Sequence, residues 1–422
     1  SSAASDVYKR QPMKYMKRFL LVLCVLLMTV GCYGAYLWKT KPVQKAVLPQ
    51  EWTTLSGSAS PSAISLHSQY SCLMDADSGR VLYGTKENEK KPMASTTKIM
   101  TALLILEDNN PDSSVSFSSY ACSMPKVHLG VRPGETFKTK DLLYSLLLES
   151  HNDTAVALAE SCAGSVSAFA RKMNEKAASL GMKQTHFVTP NGLDAKGHYS
   201  SSKDMCILAS YALKNKEFCQ IIKTQSHSFS SIKTDNCSSR IFSVSNKDLF
   251  LSSYDGALGI KTGFTSKAGY CFVGAARRQD KTLVSCVLAS GWPPNKSFKW
   301  ADTKTLMDYG MNNYKHSSLP LPDLGSCRIP VTDGKEDFVC LSTPDPGQAL
   351  LGRHDEIKIH CSFSQSLCAP IRSNIAVGTI EYYINGKLFL KKDVFPQKSI
   401  EKSSISDKIW DVLQCITDSL CP

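Results

Sequence analysis

The chain has 422 residues, of which 42% are hydrophobic and 20% are charged. This composition is that of globular domains, which excludes a wholly disordered chain, and the length allows more than one domain. The formal net charge of +12 comes from dispersed lysines and arginines without a long basic block, so we expect no nucleic-acid partner. The sixteen cysteines form neither Cys-x-x-Cys pairs nor clusters with histidine, so we expect no metal site and no cofactor.

The N-terminal residues predict a membrane segment. Residues 1–12 resemble a non-native leader, because a charged export region normally begins close to the initiator methionine and here such a region follows Met13 and Met16. Residues 13–38 predict a signal or anchor: Phe19 to Trp38 is nearly all apolar and long enough to span a bilayer, and positive charge precedes it at Lys14, Lys17 and Arg18. We therefore expect export to the outer face of the cytoplasmic membrane or the cell wall, with an uncleaved anchor. Residues 39–64, rich in Pro, Ser, Thr and Gly, predict a tether.

The first folded elements are predicted around residues 70–106. Tyr70 to Met74 and Arg80 to Tyr83 have strand composition and are separated by a turn-rich Asp-Ala-Asp-Ser-Gly segment. A helix follows from Lys98, apolar on nearly every face, and we expect it to be buried. Helices are next predicted for Asp141 to Glu149 and Asp153 to Glu160. The tripeptide Ser150-His151-Asn152 between them therefore lies on a connection.

The remaining elements of this part complete an α+β pattern. A helix is predicted from Val166 to Leu180, and Gly259 to Gly263 has strand character. Gly269 to Ala276 and Thr282 to Ala289 predict a hairpin, and Lys299 to Tyr314 predicts a closing helix. Strands at both sequence ends with helices between them predict an antiparallel sheet backed by a helical subdomain, over residues 65–318.

A second domain is predicted after Pro320, at a Pro-Leu-Pro-Asp boundary. Residues 326–396 are rich in strand-like segments and contain an Asn385-Gly386 hairpin turn, so we expect a small all-β domain. Residues 397–422 predict an amphipathic tail helix. Its apolar face could lie on a membrane, on a partner or on neither, and the acidic polar side argues against attraction to anionic lipid.

Ser95 and Lys98 are the first candidate catalytic pair. A hydroxyl and an amine three residues apart lie on one face of a helix, and the apolar helix that follows would bury the amine. Burial lowers a lysine pKa, so that Lys98 could act as a general base toward Ser95. Other Ser-x-x-Lys pairs occur in the chain, for example Ser200/Lys203, but none leads into a comparable apolar helix.

Two further motifs follow Ser95 in a fixed order. Ser150-His151-Asn152 is the chain's only Ser-x-Asn, and Lys261-Thr262-Gly263 is its only Lys-Thr-Gly. Read singly, Ser150 would be a helix cap and Lys261 a charge at a strand edge. Together with Ser95-x-x-Lys98 they form the three-motif signature of active-site-serine penicillin-binding proteins and class A β-lactamases.

With these motifs the chain resembles the low-molecular-weight penicillin-binding proteins that are serine-type D-Ala-D-Ala carboxypeptidases. The resemblance runs from about Ser71 to Tyr314 and includes the surroundings of the motifs, among them Pro190-Asn191-Gly192-Leu193 and Phe264-Thr265. It implies a β-lactamase/transpeptidase-like fold, and the C-terminal β domain and tail also look like parts of that family. His151 departs from the family, which usually has a small residue there. Of the two placements we consider, narrowing the groove or facing solvent, we expect that it faces solvent.

The resemblance also implies roles for single residues. Ser95 would be the nucleophile, Lys98 its base, and Ser150 would pass a proton to the departing D-alanine. Asn152 would bind the substrate backbone, and Lys261 with Thr262 would hold the terminal carboxylate. Gly263 belongs to the same substrate-binding strand, and the backbone N–H groups of Ser95 and Phe264 are the expected oxyanion hole. The implied partners are peptidoglycan stem peptides, with β-lactam antibiotics as covalent inhibitors.

Other functions share part of this pattern. A D,D-endopeptidase would use the same acyl-transfer groups, and the sequence does not separate it from a carboxypeptidase. A class A β-lactamase would need a Glu-x-x-x-Asn loop between Ser150 and Lys261, and we find no convincing one. An inactive wall-binding scaffold would have no need of an intact set of Ser95, Lys98, Ser150 and Lys261. We therefore predict a carboxypeptidase.

Overall fold

The structure is a computed structural model that describes residues 3–39, 45–57, 64–108, 113–233 and 238–420. It divides into two compact units. The central unit comprises Ser58–Ser318 and Gln348–His354, and the flanking unit comprises Ser1–Gly57, Leu319–Gly347 and Asp355–Pro422.

The elements up to residue 179 follow the predicted order closely. They are α1 (Ala3–Lys39), β1 (Trp52–Leu55), β2 (Tyr70–Asp75), β3 (Val81–Thr85), a 3-10 turn (Ala94–Thr97), α2 (Lys98–Glu107), β4 (Ser114–Ser116), α3 (Ser119–Cys122), β5 (Thr136–Lys138), α4 (Thr139–Tyr144), a π-helical turn (Ser145–Glu149), α5 (Asn152–Ala163) and α6 (Val166–Ser179). Both predicted strands before Ser95 are present. The segment predicted as one helix from Asp141 to Glu149 is instead α4 followed by the π turn.

The remaining elements complete both units. They are α7 (Ser202–Ala212), α8 (Lys216–Lys223), β6 (Ser226–Ser230), β7 (Ile241–Ser245), α9 (Phe250–Ser253), β8 (Ala257–Thr265), β9 (Gly269–Arg278), β10 (Lys281–Leu288), α10 (Phe298–Asn313), β11 (Tyr314–Ser318), β12 (Arg328–Thr332), β13 (Phe338–Cys340), β14 (Gln348–Gly352), β15 (Ile357–Phe363), β16 (Leu367–Cys368), β17 (Gly378–Ile384), β18 (Lys387–Val394) and α11 (Ile405–Leu420). The predicted hairpin is β9–β10, and the predicted closing helix is α10.

The central unit is built on a five-stranded antiparallel sheet of order β3-β2-β10-β9-β8. Successive side chains point to opposite faces of a strand, and here both faces are covered. In β2, Cys72 and Met74 belong to a core cluster shared with α2, α5 and α7, whereas Leu73 packs in a second cluster with α10. Burial on both faces explains why these strands read as continuous apolar runs in the sequence. The predicted α+β class is confirmed.

Strand β8 forms the edge of this sheet beside the start of α2. It pairs with β9, with Lys261 opposite Val273 and Gly263 opposite Cys271. Because α2 is buried on nearly every side, including Lys98, Ile99 and Met100, its N-terminal turn lies against this edge and not in solvent. The edge strand and the buried helix therefore bring the first and third motifs together.

The flanking unit contains a four-stranded sheet of order β1-β15-β17-β18. Strand β1 pairs with β15 over the whole of Trp52–Leu55, although the sequence predicts a tether for 39–64. The other parts of that predicted tether, residues 40–44 and 58–63, lie outside the described residues. Asn385 has a positive φ of 50° and Gly386 one of 74°, as the predicted hairpin turn between β17 and β18 requires. The predicted tail helix is present as α11.

Candidate active site

The turn that carries Ser95 is held by its own threonines. Thr96 Oγ1 donates to the Met93 carbonyl at 2.6 Å, and Thr97 Oγ1 donates to the Ala94 carbonyl at 2.8 Å. Ala94 has a positive φ of 49°, a conformation that a non-glycine residue keeps only where its surroundings hold it. Ser95 is half-buried at the mouth of a groove, while Thr96 and Thr97 are fully buried. The turn therefore forms a rigid support for Ser95, whose hydroxyl is accessible to a ligand in the groove.

Lys98 lies one turn further on and is completely buried. Its Nζ donates to Asn152 Oδ1 at 2.8 Å and to the Asn191 carbonyl at 2.7 Å, and it lies 3.0 Å from Ser95 Oγ. Burial lowers the pKa of Lys98 well below its usual value, and the charge of Lys261 lowers it further, whereas Asp153 opposes this shift. In the neutral amine, the two N–H groups donate to Asn152 Oδ1 and to the Asn191 carbonyl oxygen. The lone pair is then left facing the Ser95 hydroxyl.

Asn152 is fixed through both ends of its side-chain amide. Its Oδ1 accepts from Lys98, and its Nδ2 donates to the Pro125 carbonyl at 3.1 Å. Its backbone N–H also donates to the Val127 carbonyl at 2.8 Å. This first residue of α5 therefore connects Lys98 to the segment that forms one wall of the groove.

Ser150 lies at the junction between the π turn and α5. Its backbone is left-handed, with φ 74° and ψ 32°. Its Oγ is buried and, among the residues that the structure describes, has no hydrogen-bond partner. Because Ser150 also lines the groove, its hydroxyl is available to a bound substrate.

The Lys-Thr-Gly motif lies on the edge strand β8. Lys261 is 2% exposed, and its Nζ donates to the Thr262 carbonyl at 3.1 Å. Burial, aided by the charge of Lys299, lowers the pKa of Lys261 to about 7, and Asp248 opposes this shift. A Cβ on Gly263 would lie 3.1 Å from Ser95 N and from the Met93 carbonyl oxygen, so glycine allows the edge strand to approach Ser95.

These parts enclose an open groove of about 1080 Å³. Ser95, Ser150, Asn152, Thr262, Gly263 and Phe264 all line it. The two remaining predicted site residues are buried beside it, Lys98 bonded to Asn152 and Lys261 within electrostatic reach of Lys98. The structure therefore brings together all eight residues that the sequence analysis selects.

The groove is strongly cationic. Four of its lining side chains are lysines, Lys126, Lys247, Lys296 and Lys299, and its one lining carboxylate among the described residues is Glu149, which pairs with Lys247 at 3.0 Å. Lys299 is 4% exposed, and burial lowers its pKa to about 8. A groove of this charge suits a carboxylate-bearing ligand.

Three functional features escape the sequence analysis. The Asn191 carbonyl, which accepts from Lys98, is a backbone atom, although its surroundings are part of the quoted resemblance. Buried Lys299 lies in a helix that the sequence analysis treats only as structural. Asp248, whose carboxylate accepts the backbone N–H of Ile260 at 3.1 Å, has no recognisable motif.

His151 is placed differently from the expectation. We expected it to face solvent, but it is 4% exposed. Its Nδ1 lies 2.8 Å from Ser145 Oγ, and its Nε2 lies 3.2 Å from Glu149 Oε2. The ring points into the helical subdomain because polar partners are available there, and it is absent from the groove lining. The expectation of a solvent-facing ring is therefore wrong.

A serine hydroxyl beside a buried amine, with a second serine and a buried cation across the groove, defines an active-site-serine acyl-transfer enzyme. The sequence profile of D-alanyl-D-alanine carboxypeptidases matches residues 57–291, and that of the C-terminal domain of penicillin-binding protein 5 matches residues 327–402. The chain belongs to the D-alanyl-D-alanine carboxypeptidase family and is a serine-type peptidase of that kind.

Individual relatives agree with this assignment. The chain is 30% identical over 339 residues to the D-alanyl-D-alanine carboxypeptidase DacF of Bacillus subtilis, covering 78% of this chain and 85% of that protein. The crystal structure of the Streptomyces K15 DD-transpeptidase is 31% identical, with a TM-score of 0.55 over 60% of this chain and 99% of that one. Penicillin-binding protein 5 from Haemophilus influenzae, at 22% identity and a TM-score of 0.63 over 81% of this chain and all of that one, shares the fold.

Proposed function

We propose that this carboxypeptidase removes the terminal D-alanine from peptidoglycan stem pentapeptides, with Ser95 as the nucleophile. The observation that carries the proposal is the neutral-amine geometry of Lys98. Two of its neighbours are acceptors without a proton to give, Asn152 Oδ1 and the Asn191 carbonyl, and the third is the Ser95 hydroxyl at 3.0 Å. A base held this way is oriented toward the proton that it removes.

The reaction then proceeds in two halves. Ser95 Oγ forms a bond to the carbonyl carbon of the penultimate D-alanine as its proton passes to Lys98. The carbon–nitrogen bond breaks, and the proton that Lys98 took from Ser95 passes through the Ser150 hydroxyl to the departing amine, which returns Lys98 and Ser150 to their starting states. The Ser150 hydroxyl has no competing partner among the described residues. Water then attacks the ester, which releases the shortened stem and restores the Ser95 hydroxyl.

Charge stabilisation comes from backbone and lysine groups. The backbone N–H groups of Ser95 and Phe264 act as the oxyanion hole, which the close approach at Gly263 supports. Removing one such donor typically costs about 10²- to 10³-fold in rate. Lys261 with Thr262 holds the terminal carboxylate, and Lys299 adds positive charge on the same side of the groove.

The same groups account for inhibition by β-lactams. The lactam amide takes the place of the D-Ala-D-Ala amide, and its carboxylate occupies the Lys261/Thr262 site. Ser95 opens the ring and keeps the product as an ester. The tethered ring stays in place after acylation and obstructs water, whereas D-alanine leaves. The penicilloyl enzyme is therefore longer-lived than the peptidyl enzyme.

We further propose that α1 anchors the enzyme at the outer face of the cytoplasmic membrane. Within α1, Tyr15–Gly34 is a stretch of 20 residues that is long and apolar enough to cross a bilayer. Lys14 precedes this stretch and Lys17 and Arg18 lie at its N-terminal end, which favours a cytoplasmic N-terminus. This orientation places the groove on the side where peptidoglycan lies.

The test compares the intact chain with Ser95→Ala. The wild-type protein should release D-alanine from a muropeptide pentapeptide and form a stable covalent adduct with a fluorescent penicillin, and the variant should do neither. A cross-linked dimer, offered in parallel, reports endopeptidase activity. Persistent labelling of Ser95→Ala would move the nucleophile elsewhere. Rapid, repeated penicillin hydrolysis without D-alanine release would overturn the carboxypeptidase assignment.

A further inference from the structure

Ser150 is held in place by something other than its own hydroxyl. Its backbone is left-handed with φ 74°, a conformation that persists in a non-glycine residue only where neighbours impose it. Its Oγ makes no hydrogen bond within the described part of the chain. The position of this hydroxyl in the groove therefore depends on the residues on either side of it.

Those two residues, Glu149 and His151, contact each other across Ser150. His151 Nε2 lies 3.2 Å from Glu149 Oε2, so that the two side chains close a ring around the strained residue. We call this pair the Glu149–His151 clamp. Both residues belong to the junction where the π turn ends and α5 begins, and such π turns occur frequently at functional sites.

Each half of the clamp is attached to a second element. Glu149 Oε1 accepts the backbone N–H of Ser245 at 3.0 Å, and it also pairs with Lys247 Nζ at 3.0 Å. These contacts connect Glu149 to the end of β7 and to the segment that follows it. His151 Nδ1 lies 2.8 Å from Ser145 Oγ, so the ring connects the far end of the same π turn to the start of α5.

The hydrogen bonds of the clamp have one consistent direction. A carboxylate can only accept, so His151 Nε2 carries the proton and donates to Glu149. In the neutral ring Nδ1 is then an acceptor and receives the hydroxyl proton of Ser145. The Ser145 oxygen accepts in turn from Thr154 Oγ1, which lies 3.0 Å away on α5. Every polar atom in this chain of contacts is satisfied when His151 is neutral.

Burial of the ring favours that neutral state, against the two nearest carboxylates. Burial has the largest effect and lowers the pKa of His151, and any positive charge on Lys98 of α2 or on His128 of the preceding segment acts in the same direction. Asp153 on α5 and Glu149 oppose the shift. The lowered pKa of His151 keeps the ring neutral at the neutral pH where Lys98 can act as a base.

We propose that His151 is a positioning residue that holds Ser150 in its left-handed conformation through the Glu149–His151 clamp, and that it thereby sets the rate of proton transfer to the leaving amine. The proposal rests on the role given above to Ser150. His151 itself touches no substrate, because it is absent from the groove lining. Loss of the ring should therefore lower kcat while leaving KM unchanged.

The test is a double-mutant cycle on D-alanine release from a soluble pentapeptide. His151→Ala alone should lower kcat about 10- to 10²-fold, which is part of the 10²- to 10⁴-fold that a placed proton donor contributes. In a Ser150→Ala background the same substitution should change kcat by less than about twofold, because the group that it positions is already absent. His151→Gln, which keeps an N–H donor for Glu149, should recover part of the lost rate.

The controls separate this role from general damage to the fold. Stoichiometric labelling of Ser95 by a fluorescent penicillin identifies the variants that are folded. If His151→Ala is not folded, His151→Gln takes its place in the double-mutant cycle. His227→Ala removes a half-buried histidine that also contacts a carboxylate, Asp141 at 2.8 Å, but lies outside the groove lining, and it should leave kcat unchanged.

Two results would overturn the clamp alone. One is a wild-type kcat in folded His151→Ala, and the other is a full loss on adding His151→Ala to Ser150→Ala. A wild-type kcat in Ser150→Ala would instead overturn the proposed role of Ser150, and the clamp with it. The single-variant measurement on Ser150 thus distinguishes failure of the mechanism from failure of the inference.

Discussion

Two buried lysines with opposite requirements define the chemistry at the scale of single residues. In the proposed mechanism Lys98 is neutral so that it accepts a proton, and its depressed pKa allows this. The proposed mechanism also has Lys261 charged so that it holds a carboxylate, yet burial lowers its pKa to about 7. The charge of Lys261 lowers the pKa of Lys98, so the state with Lys98 neutral and Lys261 charged exists over a limited pH range.

We predict that Lys261→Arg removes the alkaline limb of the acylation rate. In the wild-type enzyme, acylation by penicillin should rise with pH as Lys98 loses its proton and then fall as pH passes about 7 and Lys261 loses its charge. Arginine stays protonated throughout this range, so the fall should disappear. The measurement is the second-order rate constant for acylation by a fluorescent penicillin as a function of pH.

A lysine-to-arginine change outside the groove provides the control for that profile. Lys172→Arg, on the exposed side of α6, should keep the wild-type bell shape. An unchanged alkaline limb in Lys261→Arg would assign that limb to another group.

Side-chain motifs were predictable from the sequence, and backbone or environmental contributions were not. Ser95, Lys98 and Lys261 lie in motifs whose residue types state their chemistry. The Asn191 carbonyl belongs to no side chain, and its place beside Lys98 depends on a tertiary contact that no local pattern shows. The position of His151 was predicted wrongly, because the local sequence does not show whether the fold places a carboxylate and a hydroxyl beside the ring.

The meeting of three elements at Ala94 explains the glycines of the site. A Cβ on Gly192 would lie 2.1 Å from the Ala94 carbonyl oxygen, and a Cβ on Gly263 would lie 3.1 Å from Ala94 Cβ. The 3-10 turn is therefore held between the loop that carries Asn191 and the edge strand β8. Side chains at either position would push Ser95 away from Lys98 or from Lys261 and Thr262.

We predict that Gly192→Ala slows acylation by about 10²-fold, the order of loss expected when reacting groups shift by about 1 Å. The new methyl group would force apart Ala94 and the neighbouring Asn191, whose carbonyl accepts from Lys98. Gly192 has a positive φ of 81°, so alanine is also strained there. Penicillin acylation and thermal unfolding should be measured on the same preparation.

Gly164→Ala separates strain from steric overlap. Gly164 has a comparable φ of 76°, but a Cβ there would have no neighbour within 4 Å in the described structure. It should lower the free energy of unfolding by about 1 kcal/mol and leave the acylation rate unchanged. Equal effects of the two substitutions on acylation would mean that the contact with Ala94 is unimportant.

At the scale of elements, the sequence predicted the strands and helices well wherever period and turn signals agreed. The β9–β10 hairpin and α10 differ from their predicted bounds by at most two residues. The π turn after α4 was predicted as ordinary helix, because Ser145 to Glu149 has helical composition and its widened hydrogen-bond pattern has no compositional sign.

At the scale of the whole molecule, the proposed anchor can be tested in cells. We predict that protease added to intact spheroplasts digests the part of the chain after α1, because the proposed orientation places that part outside the cytoplasmic membrane. A chain lacking residues 13–38 should stay in the cytoplasm and be digested only after lysis. Protection of the full-length protein until lysis would contradict the proposed orientation.

The assignment of β14 to the central unit could not be predicted from the linear sequence. Residues 326–396 are predicted as one C-terminal domain, yet β14 within them belongs to the compact central unit. It pairs antiparallel with β11 from Tyr314 opposite Gly352 to Ser318 opposite Gln348. Pairing between segments about thirty residues apart has no local signal, since the intervening residues belong to the other unit.

We predict that β14 stabilises the unit that carries the active site. Leu350 is 1% exposed and packs in the core cluster that includes Leu73, Phe272 and Tyr314, and its carbonyl accepts from Arg80. Leu350→Ala should therefore lower the free energy of unfolding of the central unit by about 2–5 kcal/mol, the usual cost of such a cavity.

Leu388→Ala, at a 55% exposed leucine of β18, should change the free energy of unfolding little. Loss of penicillin labelling on heating reports this unit, whereas total unfolding by circular dichroism reports both. Leu350→Ala could instead lower the midpoint temperature of a circular-dichroism transition and leave the midpoint for loss of penicillin labelling unchanged. That result would mean that β14 stabilises the other unit.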